Sequence, residues 1–482
     1  MARELDRVSS EAVRPLATVL EDLDPNALRE PGGRIDMARI DAAAPVVHLA
    51  AASIADARER VSGISPNGLL APVAGARERF VEALAAASDL VSGLDATVRF
   101  VPAVLGADAP RQYLILSLNN AELRTAGGIP GAIALVRIDD GALSLVRQAS
   151  AYDFSAFSPP LAVADGTRAV FGDEVGEFIQ NVTMSPDFTE TGRLAAGMWE
   201  RTFGDRIDGV VALDPIALSY LLRATGPVTA SGESPIDADN AVSRLLIEPY
   251  RDPTFDQFAR DRYFSGIAAA TLATMLSEPI DLGTMVESLS RAGAEHRISM
   301  WSADPDEQDA LEQSPFAGLL AAQDAAGPQA YGVYLNDTTA AKLDPYLDVT
   351  IDVGASDTRA DGRAEVTVRV ALENTVTTAD LALMPSDASG AYREGFGQGR
   401  IATIATAFAP RGAYDGGVRV DGLPVEYLSR DSDGRLASSL QVDVEPGETK
   451  ILEFAFVTAE PGQVDPEAVH TPLIRALEVG RL

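Results

Sequence analysis

The sequence lacks cysteine and has three histidines in 482 residues. Without cysteine, the chain has no disulfides, no thiol nucleophile and no thiolate metal site. His48, His296 and His470 lie in three separate segments and lack the helical pairing of zinc proteases. A histidine-based metal centre is therefore not expected.

Lysine is almost as scarce, because 37 of the 39 basic residues are arginines and only Lys342 and Lys450 are lysines. Acidic residues number 71, which gives a formal net charge of -32. Such a charge repels nucleic acid and anionic lipid surfaces at long range, so a nucleic-acid partner is not expected. An anionic ligand would need a local arginine pocket that outweighs this field.

Long hydrophobic runs are also missing. The apolar runs at 43–55 and 129–138 are shorter or more interrupted than the ~20 residues that a bilayer requires, and no signal-peptide pattern opens the chain. We therefore expect the segment to be soluble. Its 46% hydrophobic content and its length favour roughly two to four folded domains.

The periodicity of apolar residues changes twice along the chain and predicts a multidomain α+β fold. Residues 1–100 carry alanine-rich stripes at helical spacing, in 46–61 and 73–94, and predict a helical hairpin or small bundle. Residues 101–345 alternate strand-like and helical runs and predict a layered α/β domain. Residues 346–482 show a period of two in short runs, which predicts an antiparallel β-sandwich.

Within the central region, the run from Asn119 to Gly128 (NNAELRTAGG) separates two apolar strands at 113–118 and 133–138. Amides, an acid, an arginine and paired glycines after a strand are typical of a ligand-binding loop. Downstream, Asp214 and Pro215 predict the start of a helix that ends before Gly226. The loop from 119 to 128 is the first candidate for a functional site.

Several common site motifs are excluded or have a structural interpretation. The chain has no Gly-x-Ser-x-Gly elbow, no Gly-x-Gly-x-x-Gly and no Walker-type loop. The run from Asp431 to Gly434 opens like a calcium loop, but Val442 stands at the twelfth position, so a hairpin turn is predicted. Asp304 is predicted to begin an acidic helix.

Arginines are the remaining candidates, because a guanidinium fork donates two parallel hydrogen bonds to phosphate. Arg124 is the first of them, followed by Arg260 and Arg262. The alternative for Arg124 is a structural ion pair with Glu122 or a cap on a neighbouring loop. For Arg260 and Arg262 the alternative is a solvated helix face.

Five motifs together resemble domain-of-unknown-function family 4012 over about residues 100–460. They are 119–128 (NNAELRTAGG), 185–188 (SPDF), 208–215 (DGVVALDP), 226–228 (GPV) and 331–337 (YGVYLND), followed by Lys342-Leu343-Asp344. Members of that family are bacterial, many of them actinobacterial, with an upstream transmembrane helix and the remainder outside the cell. The resemblance implies an extracytoplasmic protein whose N-terminal anchor lies outside this sequence.

The chain is more distantly similar to the LytR-CpsA-Psr phosphotransferases, which move glycopolymers from polyprenyl-pyrophosphate carriers onto peptidoglycan. Arg124 matches the first arginine of that family and Arg262 the last. However, Gly131 stands where that family has an aspartate, and its Pro-Arg-Asp loop has no counterpart around 148–153. Loss of these carboxylates would disable magnesium-assisted phosphoryl transfer.

Two hypotheses follow. In the first, an extracytoplasmic cell-envelope protein binds a lipid-linked or wall glycopolymer through Arg124, Arg262 and Arg260. Asn119, Asn120 and Glu122 would shape that pocket. An enzymatic version adds Mg²⁺ held by a carboxylate, with Asp187 or Asp153 as the candidates.

In the second hypothesis, the chain is a non-catalytic scaffold that contacts envelope proteins. A binding site predicts arginines free of carboxylates in an open cleft, whereas a scaffold predicts arginines satisfied by acids or carbonyls.

Overall fold

The computed structural model describes the whole chain except residues 1, 25, 31–32, 66–69, 253–254 and 393–394. The chain divides into two compact units. The first comprises residues 1–112, 136–144 and 273–282, and the second comprises 113–135, 145–272 and 283–482. This division differs in detail from the three predicted domains, whose boundaries stay a prediction.

The first unit is mainly helical. Its helices are α1 (Ala2–Val8), α2 (Arg14–Asp22), α3 (Met37–Ser62) and α4 (Ala71–Val104), with a π-helical turn at Ser9–Val13. Asp36 caps α3 by accepting a hydrogen bond from the Arg39 amide. Buried side chains of α3 and α4, among them Val47, Ile54 and Leu84, form its hydrophobic core.

The buried face of α3 differs from the predicted stripe. Val47 and Ala50 are fully buried, whereas Leu49, which the prediction included, is 65% exposed. Of the predicted 73–94 stripe, Leu84 and Val91 are buried, Val73 is exposed, and the side chain of Leu94 lies outside the described residues.

By length and composition alone, α3 is apolar enough to cross a membrane, although 33% of its most apolar stretch is buried. The expectation that the 43–55 run is too short was therefore incomplete, because the run is part of a 26-residue helix. A core helix of a soluble protein has the same properties.

The elements that follow are mixed. They are β1 (Arg111–Asn119), β2 (Ile129–Asp139), β3 (Ala142–Ser150), α5 (Asp165–Phe171), α6 (Phe188–Phe203), β4 (Gly209–Leu213), α7 (Pro215–Thr225), α8 (Ala241–Leu246), α9 (Gln257–Ser277), α10 (Leu282–Ala294), β5 (Ile298–Ser302), α11 (Pro305–Glu312) and α12 (Leu319–Ala326). Short 3-10 turns lie at Ala151–Asp153, Asp173–Val175, Ile179–Asn181, Glu248–Tyr250 and Asp344–Tyr346. The predicted strands and helices of this region are confirmed, including the Asp214 cap and the Pro215 start of α7.

The remaining elements are mostly strands. They are β6 (Ala330–Asp337), β7 (Leu347–Thr358), β8 (Ala364–Asn374), α13 (Thr378–Leu381), α14 (Ser386–Ser389), β9 (Ile401–Arg411), β10 (Tyr414–Val420), β11 (Leu423–Pro424), β12 (Leu428–Ser432), β13 (Arg435–Val444), β14 (Thr449–Val457), β15 (Glu467–His470) and β16 (Gly480–Arg481).

These strands form three sheets in the described part of the chain. The first has the order β3-β2-β1-β4-β5, with β1 parallel to β4 and β5 antiparallel to β4 at one edge. The second has the order β11-β10-β14-β8-β7-β16 and the third β12-β13-β9-β6-β15. The chain is therefore a mixed α/β protein, as predicted at this coarse level, while the layered arrangement of its domains stays a prediction.

The C-terminal strands depart from a purely antiparallel pattern. Because the chain end returns along two earlier strands, β15 pairs in parallel with β6, and β16 pairs in parallel with β7. The strand β6 precedes the predicted boundary at 345 but pairs with β9. Buried side chains of both sheets, such as Leu335 and Val442 in the third and Val368 and Phe454 in the second, share one hydrophobic cluster.

Two predicted structural motifs are confirmed. Asp433 and Gly434, both with positive φ, form the two-residue turn between β12 and β13, as expected for a tight hairpin. Asp304 caps α11 by accepting hydrogen bonds from the amides of Asp306 and Glu307.

Candidate functional site

The loop at 119–128 links β1 to β2 and closes tightly on itself. The Glu122 amide donates to the Asn119 carbonyl at 3.1 Å, and the Ile129 amide donates to the Glu122 carbonyl at 3.1 Å. A Cβ on Gly128 would stand 2.4 Å from the carbonyl carbon and oxygen of Asn119. Gly127 has a φ of +117°. The glycine pair is therefore required for the backbone to close, which needs no ligand to explain it.

The two asparagines at the end of β1 bind neighbouring side chains. Asn119 donates from Nδ2 to the Tyr250 hydroxyl at 2.7 Å and accepts from the Ala121 amide at 3.0 Å. Asn120 is fully buried and donates from Nδ2 to Asp214 Oδ2 at 3.1 Å. Both amides thus connect the loop to other parts of the second unit.

Asp214 is the centre of a buried ion pair. Its Oδ1 caps α7 at the Ala217 amide, at 2.7 Å, and its Oδ2 accepts from Arg297 at 2.8 Å. Arg297 also donates to Glu295 at 2.6 Å and to the Leu473 carbonyl at 2.7 Å. Asp214 and Arg297 are 2% and 6% exposed. Two opposite charges held by further hydrogen bonds are the form in which such charges are stable inside a protein.

Arg124, the leading predicted ligand-binding residue, is held mainly by carbonyl groups. One terminal nitrogen donates to the carbonyls of Leu123 and Asp337, at 3.0 and 2.8 Å, and the other to Asn181 Oδ1 at 3.3 Å. Burial lowers the pKa of Arg124, and the nearby carboxylates of Asp337 and Asp344 oppose that shift. Of the two alternatives weighed for Arg124, the ion pair with Glu122 is not among its contacts in the described residues, where Glu122 pairs with Lys342.

The segment from β6 to residue 344 fixes the loop backbone. The Thr125 amide donates to Asn336 Oδ1 at 3.1 Å, and the Leu123 amide donates to Asp344 Oδ2 at 2.6 Å. The Asp337 amide donates to the Leu123 carbonyl at 2.8 Å. Burial, and then the charge of Asp337, raise the pKa of Asp344 well above its usual range. Side-chain and main-chain bonds therefore join the loop to this segment.

Lys342 completes the cluster by contacting the Glu122 carboxylate. Burial lowers its pKa to about 8, and the carboxylates of Asp387 and Asp344 act in the opposite direction. The contact with Glu122 also favours the charged form. A fifth of the Lys342 side chain is exposed. Its ammonium lies 5.6 Å from the centre of the Tyr250 ring.

The other two predicted arginines differ from each other. Arg260 is 8% exposed, contacts Asp387, donates to the Phe255 carbonyl at 3.0 Å and lies 5.5 Å from the Tyr250 ring centre. It is therefore linked to the loop through Tyr250. Arg262 is exposed, and among the contacts of the described residues none joins it to Arg124. The solvated helix face weighed for this pair fits Arg262 and does not fit Arg260.

The two carboxylates proposed as metal ligands cap helical turns. Asp187 accepts from the amides of Thr189 and Glu190, at 2.9 and 3.3 Å, at the start of α6. Burial raises the pKa of Asp187, and these backbone hydrogen bonds oppose the shift. Asp153 is exposed and accepts from the Ser150 amide at 2.7 Å. Within the described ranges no group of three or more acidic or histidine side chains could hold a metal ion.

Residues of four sequence motifs meet at this loop. Asp214 was predicted as a helix cap, Asn336, Asp337, Asp344 and Lys342 were quoted only as part of a family resemblance, and Tyr250 was not singled out. Their grouping defines a structural hub, which we call the loop hub: residues 119–128 with Asp214, Tyr250, Asn336, Asp337, Lys342 and Asp344. The motif pattern was the available signal, because residues that recur together in a family resemblance can meet in space.

Comparison with known proteins bears on this segment. Residues 108–250 match a family model described as a protein of unknown function, DUF4012. The predicted resemblance is thereby confirmed over these residues, which include the loop, Asp187 and Asp214. The motifs after residue 250 stay a prediction. No curated protein matches the sequence.

Solved structures with partial similarity include three proteins from Bacillus subtilis. The Bacillus subtilis transcriptional regulator yvhJ is 13% identical, covers 42% of this chain and 75% of its own, and has a TM-score of 0.26. B. subtilis TagV is 13% identical over 43% and 79%, with a TM-score of 0.26. B. subtilis TagU is 11% identical over 40% and 76%, with a TM-score of 0.24. At these scores the similarity establishes neither the fold nor the activity of this chain.

Proposed function

We propose that this chain is a non-catalytic cell-envelope protein with a glycopolymer-related role, in which the loop hub is structural. The observation that carries the proposal is the environment of Arg124. Its terminal nitrogens donate to two carbonyls and an amide oxygen, and two carboxylates lie near it. An arginine that awaits an anionic ligand would instead be open and free of such partners.

The arrangement of the acids supports a non-catalytic role. Phosphoryl transfer of the LytR-CpsA-Psr type needs a carboxylate that holds a divalent metal and another group that accepts a proton. One oxygen of each of Asp187 and Asp153 accepts helix-capping hydrogen bonds. Gly131 occupies the place of the missing aspartate, and its Cβ would lie 3.4 Å from Asn119 Cβ.

The cellular setting in this proposal comes from the DUF4012 resemblance. The chain would lie outside the cell membrane, with residues 1–100 nearest to an N-terminal anchor. The α/β region at 101–345 and a β-sandwich at 346–482 would face glycopolymers or envelope proteins. The anchor would precede this sequence, and α3 is a further candidate by its length and composition.

The test is the stability of Arg124→Ala, measured by urea unfolding, with Arg262→Ala as the matched control. Loss of three hydrogen bonds to a charged donor, with buried carbonyls left unpaired, should cost about 2–4 kcal/mol in Arg124→Ala. Arg262→Ala should change the unfolding free energy by less than about 0.5 kcal/mol, because Arg262 is exposed.

Binding of a short-chain polyprenyl pyrophosphate, with and without Mg²⁺, should be followed in the same variants by native mass spectrometry. The structural role is overturned if Arg124→Ala keeps the wild-type stability and abolishes saturable binding. Equal binding by wild type and Arg124→Ala would support it.

A second candidate is direct binding of a lipid-linked glycopolymer at Arg262. The observation that favours it is that Arg262 is exposed on α9 and has no ion pair among the residues the structure describes. Loss of polyprenyl-pyrophosphate binding in Arg262→Ala alone would support this candidate.

A further inference from the structure

An open cleft lies beside α6 and the edge strand β5, away from the loop hub in sequence. It has a volume of about 530 Å³, which falls within the usual range for small-molecule sites. Its lining includes three arginines, Arg193, Arg201 and Arg206, and one tryptophan, Trp301. All of its lining residues belong to the second unit.

One face of α6 forms the long side of the cleft. Arg193, Ala196, Gly197, Glu200 and Arg201 are spaced by three and four residues, so they lie on one helical face. The two small residues stand between the arginines, and eight residues of helix separate the arginines by about 12 Å along the axis. A Cβ on Gly197 would lie 2.8 Å from Leu161 Cδ2. This face of α6 therefore has small side chains in the middle and an arginine at each end.

Trp301 on β5 forms the aromatic side of the cleft. A Cβ on Gly192 would lie 2.4 Å from Trp301 Cβ and Cγ, so the glycine lets α6 approach the tryptophan closely. Trp301 keeps part of its side chain exposed, whereas Trp199, the second of the two tryptophans in the sequence, is fully buried. An indole fixed by close packing offers a flat apolar surface at little entropic cost.

Arginine groups line the cleft of a strongly acidic chain. Three arginines and one acid, Glu200, line the cleft in a protein of net charge -32, and two further acids, Glu190 and Asp208, pair with Arg193 and Arg206. Arg201 is exposed and has no ion pair in the part of the chain that the structure describes. Arg193 donates to the Ala162 carbonyl at 2.8 Å and lies 3.4 Å from Glu190. Arg206 lies 3.8 Å from Asp208 and is 81% exposed. Exposed guanidinium groups around a cleft attract anions locally.

We propose that this cleft binds an anionic saccharide, with its phosphate or carboxylate at the arginines and its sugar ring against Trp301. This inference rests on the proposed glycopolymer-related role and gives it a ligand class. The arginines supply bidentate donors for the anionic group, and the indole packs against the apolar face of the ring. Glu200 supplies an acceptor for sugar hydroxyls. Its Oε1 accepts from the Ile207 amide at 3.2 Å, and its other oxygen has acceptor capacity for a ligand.

The test is a titration of tryptophan fluorescence with N-acetylglucosamine 1-phosphate, with N-acetylglucosamine and inorganic phosphate as comparison ligands. The fully buried Trp199 should respond little, so the signal should report Trp301. We expect a saturable change with the sugar phosphate and a weaker one with each comparison ligand. The change should disappear in Trp301→Phe, and in Arg201→Ala the affinity should fall about tenfold, which corresponds to 1.4 kcal/mol.

The matched control is Arg430→Ala, because Arg430 is an exposed arginine on β12 that donates to the adjacent Ser429 carbonyl. It should bind like the wild type, and all variants should keep their urea midpoints. Absence of a saturable fluorescence change up to about 10 mM sugar phosphate would overturn the proposal, because any dissociation constant would then be weaker than the millimolar range. So would equal affinity for inorganic phosphate alone, because the saccharide would then make no contribution.

These outcomes are separate from those of the structural-hub test. The cleft titration measures ligand binding that depends on Trp301 and Arg201, whereas the hub test measures the unfolding free energy of Arg124→Ala. A failed titration with a destabilised Arg124→Ala removes the saccharide ligand and keeps the structural hub. A stable Arg124→Ala that loses polyprenyl-pyrophosphate binding removes the proposed function itself.

Discussion

Arg124 in the loop hub and Arg201 in the cleft are the same kind of side chain in opposite environments. Arg124 donates to protein carbonyls and is surrounded by buried acids. Arg201 stands exposed beside small residues and a tryptophan. In a chain with 37 arginines, residue type and motif position therefore say little about ligand binding. The hydrogen-bond partners that the folded chain provides distinguish structural arginines from accessible ones.

The largest expected effect compares a glycine of each region. Gly128→Ala places a Cβ 2.4 Å from the Asn119 backbone, which cannot move aside, whereas Gly197→Ala meets only the end of the Leu161 side chain. We expect Gly128→Ala to lose about 4–5 kcal/mol of unfolding free energy, the range of exceptional substitutions. Gly197→Ala should change it by less than about 1 kcal/mol, because helix propensity gained offsets the contact. Urea unfolding measures both, and similar losses would contradict the comparison.

The next effect compares a buried and an exposed arginine. Arg297→Ala leaves the Asp214 carboxylate buried without its ion pair, which should cost about 3–4 kcal/mol. Arg201→Ala removes an exposed side chain and should cost less than about 0.5 kcal/mol. Chemical unfolding at neutral pH gives both values. A small loss in Arg297→Ala would show that the Asp214 cluster tolerates an unpaired charge and does not support the hub.

The smallest expected effect is on the pH dependence of stability, and it compares the two lysines of the sequence. Lys342 has a pKa lowered to about 8, whereas an unfolded lysine titrates near ~10.4. Between these values the unfolded chain binds the extra proton, so the stability that Lys342 contributes should rise with pH. Relative to Lys342→Met, the wild type should gain up to about 2–3 kcal/mol between about pH 8 and 10.4.

Lys450→Met is the control for that pH series. The hydrogen bond from Lys450 to Glu448 is the largest cause that raises the pKa of Lys450, so its folded form keeps its proton to a higher pH than the unfolded form. It should therefore show no gain over the same window. A pH-independent difference between the wild type and Lys342→Met would show that the Lys342 ammonium is not buried as the structure indicates.

Local sequence predicted the elements well but not the contacts between them. The β1 strand, the Asp214 cap, the α6 helix and the hairpin at Asp433 follow from patterns within a few residues, because caps, turns and periodicity are local properties. The helical stripe was less accurate, since Leu49 fits the spacing but is exposed. An alanine-rich stripe does not determine which face of a helix is buried, so packing against other elements decides it.

The candidate loop was selected from the sequence, whereas its long-range partners were not. The sequence selected the loop from Asn119 to Gly128, and the family model covers it. Its partners Asn336 and Asp344 are more than two hundred residues away, so no local pattern could show that they occupy its hydrogen-bonding groups. The cleft was missed for the same reason, although the spacing of Arg193, Gly197 and Arg201 on α6 was a signal within the sequence.

The sequence by itself determined the strongly acidic surface charge, the absence of thiol chemistry, the order of most helices and strands, and the glycine pair of the loop. These follow from composition and from interactions between near neighbours. Only the tertiary structure decided which arginines are buried against protein acceptors and which are open, because burial and long-range hydrogen bonds set the free energy of a charged group. That decision places Arg124 in the protein interior's bonding network and leaves Arg201 accessible to a ligand.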